Sequence, residues 1–214
     1  MHIPDGFLSP QTYVPAYAVC AGLWVLGMRR LRARLDEETL PWLAVMTALS
    51  FVLMMVALPL PGGSTVHAAG IGLLALSFGV WMSFLAVSLV LAMQALLFGD
   101  GGITALPVNA LAMGLAGSMA AWWTWRGLRR TNESLALFAA GWVSMVLPAL
   151  LVALVLGIQP AIAHDTAGRP LFFPFGPEVV LPAVLLPHAL VGLGEGLLTL
   201  LGHRYLTRRR AQPA

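Results

Sequence analysis

The chain opens with MHIPDG, and its second residue is the first that could do chemistry. A free α-amine on Met1 followed by His2 offers three nitrogens to one metal ion. They are the amine, the deprotonated amide of His2 and its Nδ1. Together they close a five- and a six-membered ring in one plane and leave the fourth corner open. A histidine from a neighbouring loop would complete the square, and His67 in PLPGGSTVHAAG (59–70) is a candidate. Planar nitrogen donors suit Ni(II) or Cu(II), whereas Zn(II) prefers a tetrahedron that often includes thiolates. The turn Pro4-Asp5-Gly6 would send residues 1–3 back into the protein. The chelate needs Met1 uncleaved, and the start lacks the basic and apolar regions of a secretory signal. The alternative reading leaves His2 solvated and His67 as a capping or interfacial residue.

Other polar residues could support such a site. Asp5 and Asp100 stand beside glycines and also read as turn formers. Asn109, in FGDGGITALPVNALAMG (98–114), could make an interhelical hydrogen bond. His188 and Glu195 are seven residues apart in an apolar run and so share one helix face. Ionisable groups in such runs are costly and face a bundle interior or a cavity. They either support a metal site or clamp helices together. His164 and Asp165 read as solvated, and His203 has no assigned role. The single cysteine, Cys20, reads as a packing residue. No GxxxxGK[ST] loop, HExxH pair or hydrolytic triad is present, and no basic-aromatic surface suggests nucleic acid.

These residues need a frame, and composition says which. The 214 residues are 59% hydrophobic and 10% charged, with mean hydropathy +0.85. Soluble domains carry roughly 25% charged residues, so lipid is the expected solvent. Apolar runs cover 11–28, 40–60, 68–98, 107–125, 134–157 and 180–202. The 68–98 run would make a helix of about 46 Å, longer than a bilayer core of about 30 Å. A break near VWMS (80–83) would divide it. All twelve basic residues are arginines, clustered at 29–34, 126–130 and 204–210, with Arg169 apart. With seven spans, all three clusters fall on the cytoplasmic side. The expected fold is therefore all-α: one transmembrane domain over 1–214, seven transmembrane helices, N-terminus outside and C-terminus cytoplasmic. The outer face then holds residues 1–10 and the loops 61–67, 99–106 and 158–179. Ser64 and Thr65 offer N-caps that would put His67 in the first turn of a helix. The phenylalanine-bearing stretch 164–178 is expected to fold over the site as a lid or lie at the membrane interface. Gly192 and Gly196 are spaced for close helix packing.

Taken together, MHIPDGFLSP, PGGSTVHAAG (61–70), ALLFGDGGITAL (95–106) and PLFFPFGPEVVLPAVLLPHALV resemble one family. It is the NikM/CbiM family, the substrate-capture (S) components of nickel/cobalt energy-coupling-factor transporters. The resemblance covers essentially the whole chain. It implies a six-helix S-component core plus one added helix. It also implies metal held by Met1, His2 and His67, with Ni(II) or Co(II) as substrate and no organic cofactor. The implied partners are a transmembrane coupling protein, two cytoplasmic ATPases and a small accessory membrane subunit, in a bacterial inner membrane. None of these is expected to be fused to this chain, which ends RRRAQPA. Ala44 and Ala48 offer a small-residue face for the coupling protein. MHIPDG and FGDGG look more like the nickel branch, with a cobalt-specific component for cobalamin synthesis as the alternative. A more distant alternative is an intramembrane metalloenzyme built on His67, His188 and Glu195. It would need an open metal position.

Overall fold

The computed structural model describes residues 2–33, 36–59 and 65–211, with side chains through 208. Met1, Arg34 and Ser64, each singled out in the sequence, lie outside the described residues, as do the side chains of Arg209 and Arg210. The protein is a helical bundle. Helix α1 runs Pro10–Arg32 and α2 runs Thr39–Met55. Two two-residue strands, β1 (Leu58–Pro59) and β2 (Thr65–Val66), then pair antiparallel. Helix α3 spans Ile71–Phe78 and α4 spans Val80–Met93, continued by a π-helical turn over Gln94–Phe98. Helix α5 (Leu106–Asn109), a π-helical stretch (Ala110–Gly117) and α6 (Ser118–Leu128) form one rod. Helix α7 covers Glu133–Gly157, α8 is a single turn (Gln159–Ile162) and α9 covers Pro177–Ala211.

Several boundaries differ from expectation for local reasons. The 68–98 run does divide, but at Gly79, whose φ of +84° a residue with a Cβ would rarely adopt. At eight residues α3 is only about 12 Å long and cannot cross a bilayer alone. The second apolar run stops being helical at Met55, and Pro59 enters the hairpin. The bundle therefore carries one small β element. The expected cap from Ser64 lies outside the described residues, and Thr65 does not cap α3. Thr65 is in β2, and the N-cap is Gly70 at φ +67°. Among the described residues, three helical stretches are long and apolar enough to cross a membrane: Val80–Phe98, Glu133–Ile162 and Pro177–Arg208. Thr39–Met55 is apolar but shorter.

Helix α9 shows how the frame is divided between lipid and core. Leu186, Leu190, Leu193, Leu197 and Leu201 make one exposed stripe, while Val180, Val184, His188, Glu195 and Thr199 are buried. The spacing of three and four residues keeps each set on its own face. The buried face packs on α7 through glycines. A Cβ on Gly141 would come within 2.6 Å of the Glu195 carbonyl and 2.8 Å of the Gly196 Cα. One on Gly196 would meet the Phe138 carbonyl at 2.8 Å.

The arginine clusters gather at one end. Arg30 stacks on Trp81 at the start of α4, Arg129 on Trp125 of α6, and Arg204 bonds Ser134 at the start of α7. Leu73 of α3 lies beside Gly202 of α9. Residues 2–9, His67 and the 99–105 loop occupy the opposite end.

The α7–α9 contact sets the first prediction. Gly141→Ala should lower the thermal midpoint in detergent by the equivalent of about 1–3 kcal/mol, because backbone cannot move aside. Gly194→Ala, where nothing lies within 4 Å, should leave it unchanged or raise it. Equal effects would contradict the packing.

Candidate metal centre

The N-terminal segment is folded into the end of the bundle. His2, Ile3, Leu8 and Ser9 are all buried, and the chain turns at Asp5–Gly6, with Gly6 at φ +84°. Burying an irregular segment strips its amides and carbonyls of water, so each needs a partner. Asn109 provides two: its Oδ1 accepts the Ile3 N–H at 3.0 Å and its Nδ2 donates to the Ile3 carbonyl at 3.1 Å. The Asp5 carboxylate accepts the amides of Ile103 (3.0 Å) and Thr104 (2.8 Å) and the Thr104 hydroxyl. Gln159 of α8 accepts the Ser9 amide at 3.0 Å and donates to Thr12 and the Val155 carbonyl. The 99–105 loop comes so close that a Cβ on Gly102 would be 2.5 Å from the Asp5 nitrogen. Phe7 packs against Phe173, with ring centroids 5.2 Å apart, which brings the 164–178 stretch onto this segment.

His2 and His67 meet within this arrangement. Their ring centroids are 4.6 Å apart and both residues are buried. His67 directly follows β2, not in a helical turn. Its Nδ1 lies 3.1 Å from the Ala68 carbonyl, which assigns the N–H to Nδ1 and leaves a lone pair on Nε2. That Nε2 is buried without a hydrogen-bond partner, as are both ring nitrogens of His2. The Asp100 Oδ1 is 3.3 Å from His2 Nδ1, out of hydrogen-bond alignment. Burial pushes the His2 imidazole below its ordinary range despite the Asp100 contact. Burial, and then the neighbouring His2, push His67 well below it. The contact with His2 outweighs partial burial and holds the Asp100 carboxyl below the usual carboxylate range. Two neutral imidazoles beside an ionised carboxylate present lone pairs and a compensating charge to a cation.

The remaining candidates divide. His188 is fully buried on α9, its Nδ1 donating to the Val184 carbonyl at 2.7 Å and its Nε2 unpartnered. It does not join His2 and His67 in a ligand cluster. Among the described residues no group of three or more His, Cys, Asp or Glu side chains is placed to hold a metal. A site built on His2 and His67 therefore needs main-chain nitrogens as well. Glu195 accepts the Ala69 amide at 2.9 Å and touches neither imidazole. Asn109 holds the backbone of the N-terminal segment, and Asp5 holds the Ile103 and Thr104 amides of the facing loop. Asp165 lies at the surface, as expected, and also organises the 164–178 stretch, accepting the amides of Ala167 and Arg169 and pairing with Arg169 Nε at 2.7 Å. The sequence reading missed Gln159, a lone polar residue between the apolar end of α7 and Pro160. Its position there was the available signal.

The Asp5 clamp is testable. Partial burial pushes its carboxyl up, but the Thr104 hydroxyl and the Thr104 and Ile103 amides outweigh this and hold it below its ordinary value. The clamp's contribution is thus complete above the ordinary carboxylate value and is lost as pH falls through the lowered one. Asp5→Asn puts an NH2 against these donors. It should cost about 1 kcal/mol and speed hydrogen exchange at the 103 and 104 amides without altering α7. Unchanged exchange there would refute the clamp.

Solved structures and relatives agree with this architecture. A crystal structure of a transition metal transporter superposes with a TM-score of 0.94 at 35% identity, covering 99% of this chain and 95% of that one. A truncated transition metal transporter gives 0.93 at 36% identity, covering 98% and 99%. The fused nickel transport protein NikMN of Rhodobacter capsulatus is 41% identical over 93% of this chain and 59% of its own length. The probable fused nickel transport protein LarMN of Lactiplantibacillus plantarum is 39% identical over 97% and 65%. The putative cobalt transport protein CbiM 1 of Methanocorpusculum labreanum is 33% identical over 97% and 89%. The chain thus spans about six tenths of the length of the two fused nickel proteins. Residues 2–213 match the family described as the cobalt uptake substrate-specific transmembrane region, and the chain belongs to that CbiM family of helical membrane proteins.

Proposed function

We propose that the chain captures Ni(II) at the outer face of the bacterial inner membrane, as the substrate-binding S component of an energy-coupling-factor importer. The observation that carries this is the buried pair His2 and His67, with His67 Nε2 and His2 Nε2 lacking a hydrogen-bond partner and His2 Nδ1 meeting only the Asp100 carboxylate at 3.3 Å. The proposed ligands are the Met1 amine, the His2 amide and Nδ1, and His67 Nε2. The Ile3 amide is committed to Asn109, which leaves the His2 amide as the one the chelate can use. Asp100 supplies negative charge beside the cation, and His188 stays outside the ligand set. The protein itself is a transport component and not an enzyme. ATP hydrolysis belongs to two partner ATPases, joined through a coupling protein and a small accessory membrane subunit. Ala44 and Ala48 line an apolar groove of about 560 Å³ bounded by residues of α1, α2 and α4, a face suited to the coupling protein.

Cobalt is the second reading, favoured by the family's description as a cobalt uptake region. Both ions fit a nitrogen-rich site, and the preference is decided by how strictly the plane is kept.

Topology follows from the arginine end facing the cytoplasm: seven helical spans, with α3 reaching only part way, one helix added to a six-helix core, and 158–179 acting as a lid over residues 1–10. Cysteine placed at Thr166 should be labelled from outside and at Thr207 only from inside. The reverse would invert the proposed orientation.

Equilibrium titration of Ni(II) and Co(II) into detergent-purified protein with its native N-terminus tests the site. His2→Ala should abolish binding. His67→Ala should weaken it by about ten- to a hundredfold, with water in the fourth corner. Bound Ni(II) should be diamagnetic and yellow to orange. A paramagnetic octahedral ion, or full binding by protein blocked at its N-terminus, would reject the planar chelate.

A further inference from the structure

Glu195 is 1% exposed on α9, and among the described residues no cation pairs with it. Burying a carboxylate in a membrane bundle is costly unless it is well supplied with donors. Its Oε2 takes the Ala69 N–H at 2.9 Å, its Oε1 is buried without a hydrogen-bond partner, and the amides of Gly70, Ile71 and Gly72 at the start of α3 lie near the carboxylate. The peptide that provides the Ala69 N–H is the one whose other end is the Ala68 carbonyl. That carbonyl is 3.1 Å from His67 Nδ1. One peptide plane therefore has Glu195 on its N–H edge and the His67 ring on its C=O edge. The next carbonyl, of Ala69, is held by the Ser50 hydroxyl of α2 at 2.6 Å. Glu195 holds the Ala68–Ala69 plane at its N–H and Ser50 holds the peptide that follows it, close to the bare Nε2. A histidine that ligates a metal needs its other ring nitrogen fixed in this way, and loss of such support costs about ten- to a hundredfold in affinity.

The geometry points to Glu195 as the positioning residue for His67: through the Ala68–Ala69 peptide it sets the ring's tautomer and the direction of Nε2. This rests on the reading of His67 as a metal ligand. Glu195 is not itself a ligand, and its role depends on reach. Polarising the shared peptide also makes the Ala68 carbonyl a better acceptor for the Nδ1 proton.

The test uses full-length protein with its native N-terminus, titrated with Ni(II) and Co(II) alone. Glu195→Gln keeps the length and one acceptor and should bind within about fivefold of wild type. Glu195→Asp keeps the charge but withdraws it by one methylene, and should lose about ten- to a hundredfold. In a His67→Ala background, Glu195→Asp should add no further loss, because its effect passes through His67. Without metal, Glu195→Asp should speed hydrogen exchange at 66–72 and leave α7 protected. Additive losses in the double variant, the reverse order of Asp and Gln, or exchange rising equally across α7 would overturn the proposal. A wild-type protein that binds neither metal would overturn the site reading and this inference together. A wild type that binds while the cycle is additive overturns this inference alone.

Discussion

The structure depends on satisfying the backbone of residues 2–9 inside the bundle. That segment is neither helix nor strand, so it brings amides and carbonyls with no regular partner into an apolar surround. Irregular backbone at membrane depth survives only when protein groups replace water. Here Asn109 and Gln159 do so, reaching the segment from the α5 rod and α8, while Asp5 ties the segment's turn to the 99–105 loop by accepting the Ile103 and Thr104 amides. Each commits its side chain to main chain, and this leaves the imidazole of His2 uncommitted. The same arrangement holds at His67, whose loop is held by Ser50 and Glu195 through backbone atoms alone.

The bundle beneath is shaped to bring these groups to one end. Glycine-lined contact between α7 and α9 places the carbonyl and side chain of Glu195 deep in the core. Gly79 cuts α3 short, so the loop before it descends into the bundle. The π-helical turn at Gln94–Phe98 ends at the loop that carries Asp100, and the one at Ala110–Gly117 begins directly after Asn109. A π turn inserts one residue and rotates the chain beyond it. Both sides of that loop are thereby re-aimed toward the N-terminal segment.

Much of this was legible in the residues. The apolar runs marked the helices, the glycines and prolines marked most ends, and the arginines marked one face of the bundle. His2 stood out because a histidine behind an α-amine has few other chemical uses. The misplacements have physical causes. Residues 56–60 are as apolar as the helix before them, but Pro59 and the returning strand take their hydrogen bonds into a hairpin. Capping of α3 looked local in Ser64 and Thr65, whereas the donors there face a carboxylate 126 residues away. Gln159 was missed because its partners, Ser9 and Thr12, are distant in sequence.

By itself the sequence determined the class of solvent, the helical frame and the shared face of His188 and Glu195 on α9, and it supplied the expectation of a donor set at the N-terminus. These come from composition and from periodicities that a single element carries. Tertiary structure alone decided which polar residue serves which partner. Asp5 and Asn109 hold backbone, Asp100 approaches His2, His188 remains outside the pair, and Glu195 meets the peptide beside His67. Such pairings depend on how closely helices approach and how far one turn rotates, and a shift of an ångström at Gly141 or Gly102 would undo them.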